Sequence, residues 1–169
     1  MADPYVLGLL RHAKSAYPDG VIDHDRPLSP RGERDAAALG PIVAEHQGSI
    51  DLALVSSATR AQQTWALAKV AASSEREEPR IYEASTDTLI DIAAGVTSDV
   101  HSVLMVGHNP GFEALARALS GRGSDADALE RLIQKFPTCA LAVLASDVPF
   151  ERWTSATVRL RSFAIARGG

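Results

Sequence analysis

The sequence contains one cysteine in 169 residues, Cys139, which excludes an intramolecular disulfide and any cluster built on paired cysteines. Cys139 opens the apolar run Cys139-Ala140-Leu141-Ala142-Val143-Leu144, where a buried small hydrophobe is expected rather than a reactive thiol. Basic clusters are missing too: no run of Lys and Arg exceeds two residues and the net charge is -4, so a broad nucleic-acid surface is excluded and any anion must be met locally. Long hydrophobic stretches are also lacking. The run from Tyr5 to Leu10 is too short for a membrane span or a signal peptide, and Met1-Ala2-Asp3-Pro4 carries no basic residue, so no membrane partner is expected and the protein reads as cytoplasmic. There is no repeat, low-complexity segment or internal linker. What remains is an ordinary globular balance, 46% apolar and 22% charged, with enough chain for one domain over residues 1–169 that buries roughly 70% of its unfolded surface.

Three short apolar runs, Tyr5 to Leu10, Asp51 to Ser56 and Ser102 to Gly107, are each followed by a polar turn and a helix-like segment, the rhythm of βαβ units. Ser29-Pro30 places a capping residue before a proline and predicts a helix towards His46, kinked or split at Gly40-Pro41. Ala61, Trp65, Ala68 and Ala72 recur on one face and predict a second helix over about Thr59 to Ala72. Ser73 to Pro79 reads as a charged loop, Arg80 to Glu83 as a short strand, and Thr86 to Ala94 as a short helix. Helices are expected over Pro110 to Leu119 and Asp127 to Gln134, and two antiparallel strands over Cys139 to Ala145 and Thr157 to Ala164. This alternation predicts a three-layer α/β/α sandwich over a mostly parallel sheet, with one antiparallel strand near the C-terminus and sites in the crevice beyond the strand ends.

Three polar motifs fall at such ends. Arg11-His12 follows the first strand and delivers a guanidinium and an imidazole together, although a turn residue is the commoner meaning of such a pair. Arg60 lies near the start of the next helix, where backbone N–H groups favour an anion and its fork fits two phosphate oxygens. The alternative is a solvated arginine or the partner of a nearby carboxylate. In Gly107-His108-Asn109-Pro110-Gly111, Gly107 permits a close turn, Asn109 can cap, and His108 is held at a strand-to-helix corner. A helix N-terminus there disfavours imidazolium, whereas a bound phosphate favours it. Arg26, in the loop before the capped helix, either swings over the same crevice or pairs with Asp23 or Asp25.

Taken together and in order, Leu10-Arg11-His12-Ala13-Lys14-Ser15, Asp25-Arg26-Pro27-Leu28-Ser29-Pro30-Arg31-Gly32, Ser56-Ser57-Ala58-Thr59-Arg60-Ala61-Gln62-Gln63-Thr64 and Val106-Gly107-His108-Asn109-Pro110-Gly111 resemble the histidine phosphatase (phosphoglycerate-mutase-like) superfamily, and within it the small SixA-type phosphohistidine phosphatases. The resemblance implies an α/β/α sandwich, His12 as the nucleophile, and Arg11, Arg60 and His108 as a phosphate pocket extended by Arg26 and Asn109. It implies no metal and no cofactor. The substrate it implies is phosphohistidine in a protein, with a small phosphorylated metabolite, or phosphate binding without turnover, as the other readings. Superfamily members acting on esters commonly use a carboxylate near the third strand as general acid. Glu83 and Asp87 are nearest in this chain, and Glu83 is the candidate. A phosphohistidine substrate needs such an acid less, because its leaving group is an imidazole.

Overall fold

In the computed structural model, which describes residues 4–169, one six-stranded sheet lies between two layers of helices. Met1, Ala2 and Asp3, which form part of the N-terminal reading, lie outside the described residues. The strands are β1 (Tyr5–Arg11), β2 (Ile50–Val55), β3 (Ala72–Glu77), β4 (Ser102–Gly107), β5 (Ala140–Ser146) and β6 (Arg159–Ile165), in the order β3-β2-β4-β1-β5-β6. β1 to β4 run parallel, β5 pairs antiparallel with β1, and β6 pairs antiparallel with β5. β5 is therefore the one described strand that runs against the others, as the sequence predicts.

The central strands are apolar on both faces because both are covered. Leu7 and Leu9 of β1 face a core shared with α4 (Thr86–Ala94), α5 (Gly111–Leu119) and α6 (Ala126–Gln134), through Leu89, Phe112, Leu115 and Leu132. Val6 and Leu10 face the other core, shared with α1 (Pro30–Ala37), α2 (Leu39–His46) and α3 (Thr59–Ala68), through Ala36, Leu39, Val43 and Ala61. Each fully buried Leu or Val contributes roughly 1.5–3 kcal/mol. Cys139 is wholly buried, and burial pushes its thiol up to about 12. Among the described residues no helix is long and apolar enough to cross a membrane.

Several elements differ from expectation. The break in the first helical segment falls at Ala38, not at Gly40-Pro41. The pyrrolidine ring of Pro41 cannot coexist with a helical carbonyl four residues earlier, at Ala37, while Pro41 itself is tolerated in the first turn of α2. Helix α3 stops at Ala68, where Lys69 takes a left-handed conformation (φ 50), and Ala72 then belongs to β3. The expected loop from Ser73 to Pro79 is mostly that strand, and the expected strand over Arg80 to Glu83 is instead a 3-10 turn, Pro79–Ile81. Ser73-Ser74-Glu75-Arg76-Glu77 has poor strand propensity, but an edge position with one neighbour suits charged residues.

Candidate active site

The carboxyl ends of β2, β4 and β1 lie side by side, so the segments leaving them are pinned together by backbone bonds. The His12 amide donates to the Gly107 carbonyl (3.0 Å), the Ser56 amide to Val106 (3.0 Å), and the Cys139 amide to His12 (3.2 Å). Gly107 serves close approach and not a left-handed turn: a Cβ there would meet Ile81 Cγ2 at 2.5 Å and Phe112 Cζ at 2.6 Å. Ser29 caps α1, accepting from the Gly32 amide at 3.1 Å, and α1 packs so tightly on the chain after His12 that a Cβ at Gly32 would overlap the Lys14 carbonyl.

His12 is 7% exposed. Its Nδ1–H donates to the Ala13 carbonyl (2.7 Å), which leaves Nε2 as the lone-pair nitrogen, and Arg60 Nε–H points at that nitrogen from 3.3 Å. The ring is held down at about 3, first by burial, against the pull of the Ala13 carbonyl, and then by His108, Arg60 and Arg11. The His108 ring stands 5.1 Å away, centroid to centroid, tilted by 53°. His108 Nε2 lies 2.7 Å from Ser56 Oγ, and burial followed by Arg60 holds the ring at about 4. Burial thus outweighs the neighbouring arginines in keeping both imidazoles neutral.

Arg60 is buried at the start of α3, and Arg26 is mostly covered by the exposed Tyr17 ring, 4.0 Å from its guanidinium. Pairing with a nearby carboxylate does not take either of them out of the crevice. Each lines the cavity, and each pairs with Asp23: Arg26 Nη2 with Oδ1 and Arg60 Nη2 with Oδ2, both at 3.1 Å. Arg11 Nη1 donates to the Phe136 carbonyl at 2.9 Å. Arg11 Nε, Arg26 Nη1 and His108 Nδ1 are buried without a hydrogen-bond partner, an expensive state unless another group is received there.

One cavity of about 580 Å³ collects His12, His108, Arg11, Arg26, Arg60, Asn109 and Glu83. Asn109, one residue before the Pro110 N-cap of α5, accepts from the Glu113 amide (3.2 Å) while its Nδ2 donates to the Phe136 carbonyl (2.9 Å), so both ends of its amide already serve the protein. Glu83 is exposed at the cavity rim with a left-handed backbone (φ 56), and Asp87 is exposed on α4. Three further residues join the site: Asp23, which the sequence offered only as a possible partner of Arg26, and Tyr82 and Thr64, which it did not single out. Asp23 and Tyr82 meet over the cavity, Tyr82 O–H donating to Asp23 Oδ2 at 2.6 Å. Thr64 lies beneath it: its hydroxyl accepts from the Ala13 amide (2.9 Å) and donates to the Arg60 carbonyl (2.7 Å). Asp23 had a usable signal in its spacing from Arg26, whereas Tyr82 stands in an irregular segment with no pattern to mark it.

The sequence pattern of the histidine phosphatase superfamily (branch 1) matches residues 7–89. The candidate phosphohistidine phosphatase SixA from Nakamurella multipartitia is 30% identical over 98% of both chains, with a TM-score of 0.86. The chain belongs to the histidine phosphatase superfamily. Its SixA-type character is supported again by the candidate SixA of Agrobacterium tumefaciens, 32% identical over 96% of this chain and 99% of that one, with a TM-score of 0.76. The uncharacterised protein Rv1276c of Mycobacterium tuberculosis (strain ATCC 25618 / H37Rv) is 46% identical over 80% of this chain and 85% of its own length. The SixA neighbours share the phosphoglycerate-mutase-like sandwich described above, and membership of the superfamily supports phosphatase activity.

Proposed function

We propose that this chain is a phosphohydrolase that takes a phosphoryl group onto His12 Nε2 and passes it to water, with phosphohistidine in a protein as its substrate. The observation that carries this reading is the split between the two nitrogens of one buried ring. Nδ1–H is committed to the Ala13 carbonyl, and Nε2 holds a lone pair inside a cavity lined by three arginines.

In the first step Nε2 attacks phosphorus in line and the P–N bond to the substrate imidazole breaks. When that ring is protonated on its other nitrogen it departs as neutral imidazole, and no acid is needed. In the second step water attacks the phosphorus on His12. The P–N electrons return to Nε2, one proton of the water passes to solvent, and phosphate leaves. Phosphoryl transfer of this kind rests on positioning and charge compensation. Arg11, Arg26, Arg60 and His108 supply that compensation, so the cycle needs no metal. Asn109 holds the corner that presents His108.

Glu83 bears on the second reading, a small phosphate ester. Asp23, held at about 2 by Tyr82 and Arg60, is committed as a carboxylate to those partners, and this reading assigns the acid for an alcohol leaving group to Glu83 at the rim. We further propose that the protein works in the cytoplasm, on phosphorylated protein and not on nucleic acid or at a membrane.

The test is phosphate release from a phosphohistidine protein and from para-nitrophenyl phosphate, by wild type and by His12→Asn. Wild-type turnover that vanishes in the variant, with a phosphorylated wild-type enzyme trapped by rapid quench, is the expected result. Full activity in His12→Asn removes the nucleophile, and phosphate binding with no wild-type turnover on either substrate favours a sensing module.

A further inference from the structure

Two of the three guanidinium groups of the cavity, those of Arg26 and Arg60, are held by a carboxylate from the loop between β1 and α1. Asp23 Oδ1 accepts from Arg26 Nε (3.1 Å) and pairs with Arg26 Nη2 (3.1 Å), while Oδ2 accepts from Arg60 Nη2 (3.1 Å) and Tyr82 O–H (2.6 Å). The Asp23 carbonyl accepts from Arg60 Nη1 at 2.7 Å. With Nε of Arg60 aimed at His12 Nε2, all three nitrogens of that guanidinium are engaged, two of them by Asp23. The loop is pinned in this pose by the antiparallel bridge of Ser15 with Leu28 and by His24 Nε2, 2.9 Å from Ser57 Oγ. Asp25, two residues on, turns away to His24 Nδ1 and does not line the cavity.

We infer that Asp23 is a positioning residue and counter-charge that aims Arg26 and Arg60 at the reacting phosphoryl group while keeping the affinity of the site for phosphate low. The inference rests on the reading of the cavity as a phosphoryl site. Arginines left without a partner around a buried dianion would bind substrate and product phosphate alike, which slows release without lowering the chemical barrier. A carboxylate already seated on the same two guanidinium groups repels the incoming anion and shares their hydrogen bonds, so the penalty falls on substrate and product binding. Because two contacts also fix the direction of the Arg60 fork, the same residue that weakens binding improves alignment.

The experiment is calorimetric titration of inorganic phosphate into wild type, Asp23→Asn, Asp23→Glu and Asp25→Asn near pH 7.5, with steady-state para-nitrophenyl phosphate kinetics on each. Asp23→Asn is expected to bind phosphate roughly tenfold tighter or more, with KM falling alongside and kcat falling as well. Asp23→Glu, which keeps the charge but changes its reach, should hold phosphate with near wild-type affinity and lose kcat. Asp25→Asn removes the same charge outside the cavity and should change neither. Unchanged or weaker phosphate binding in Asp23→Asn overturns the inference, as does equal tightening in Asp25→Asn. A merely structural role would weaken binding. Affinity is read without turnover, so a wild type that binds phosphate but does not hydrolyse ester or phosphohistidine sinks the catalytic reading alone, and one that binds no phosphate sinks both.

Discussion

His12 and Glu83 sit on one cavity under opposite conditions. The imidazole is buried with each nitrogen assigned, whereas the carboxylate is exposed at the rim on a left-handed residue. That contrast predicts different sensitivities to the leaving group. Glu83→Gln is expected to lower kcat/KM for an alkyl phosphate by roughly 100-fold, the usual worth of a placed proton donor, and to leave phosphohistidine hydrolysis within about threefold of wild type. Equal losses on both substrates, in paired kinetics, would remove Glu83 from acid catalysis. At this scale the sequence was informative where a residue sat next to a strand end: position marked Arg11, His12, Arg60 and His108 as candidates, and only the resemblance to the superfamily gave them roles. Asp23 could be seen only as a possible partner, because its hold on Arg60 spans 37 residues and no local pattern encodes it.

Among elements, the segment leaving β1 is tied to α3 by a hydroxyl as well as by the Arg60 contact with His12. Thr64 Oγ1 accepts from the Ala13 amide and donates to the Arg60 carbonyl, so this atom helps set the spacing between the segment carrying His12 and the turn carrying Arg60. Thr64→Val keeps the shape and leaves the Ala13 amide buried and unpaired, which costs about 1–3 kcal/mol. Urea denaturation should show that loss together with a drop in kcat, and a variant indistinguishable from wild type in both would show that the two segments are held otherwise. Helices with chemical punctuation were legible: Ser29-Pro30 opens α1, and Ser85, which accepts from the Thr88 amide, opens α4 over the predicted residues. β3 was not, since its sequence is polar after Ala72 and only its place beside β2 makes it a strand.

For the whole molecule, burying two neutral imidazoles couples stability to pH. The His12 and His108 rings titrate near 3 and 4 in the folded chain and near 6.5 once unfolded. As pH falls below about 6.5 the unfolded chain takes up protons that the folded chain refuses, so stability declines with falling pH down to about 4. Asp23, held at about 2, adds its own loss from about pH 5 downward. Urea midpoints measured between pH 7 and 4 should fall in wild type and fall less in His12→Asn; identical slopes would mean that the rings are not buried neutral. The layered fold was visible in the alternation of apolar runs, because strands covered on both faces must be apolar throughout. The pairing order β3-β2-β4-β1-β5-β6 was not, since which strands lie adjacent depends on crossovers that leave no periodic trace.

The charged strand at the sheet margin has a further consequence. Ser73, Ser74, Glu75, Arg76 and Glu77 are all open to solvent, and Glu75 is anchored by the Trp65 indole. A strand from a second molecule seeking the free backbone groups there would have to strip water from a row of ionised side chains. The margin is therefore its own deterrent to fibril growth, and the polarity that disguised β3 as a loop is also what keeps an open sheet from recruiting copies of itself.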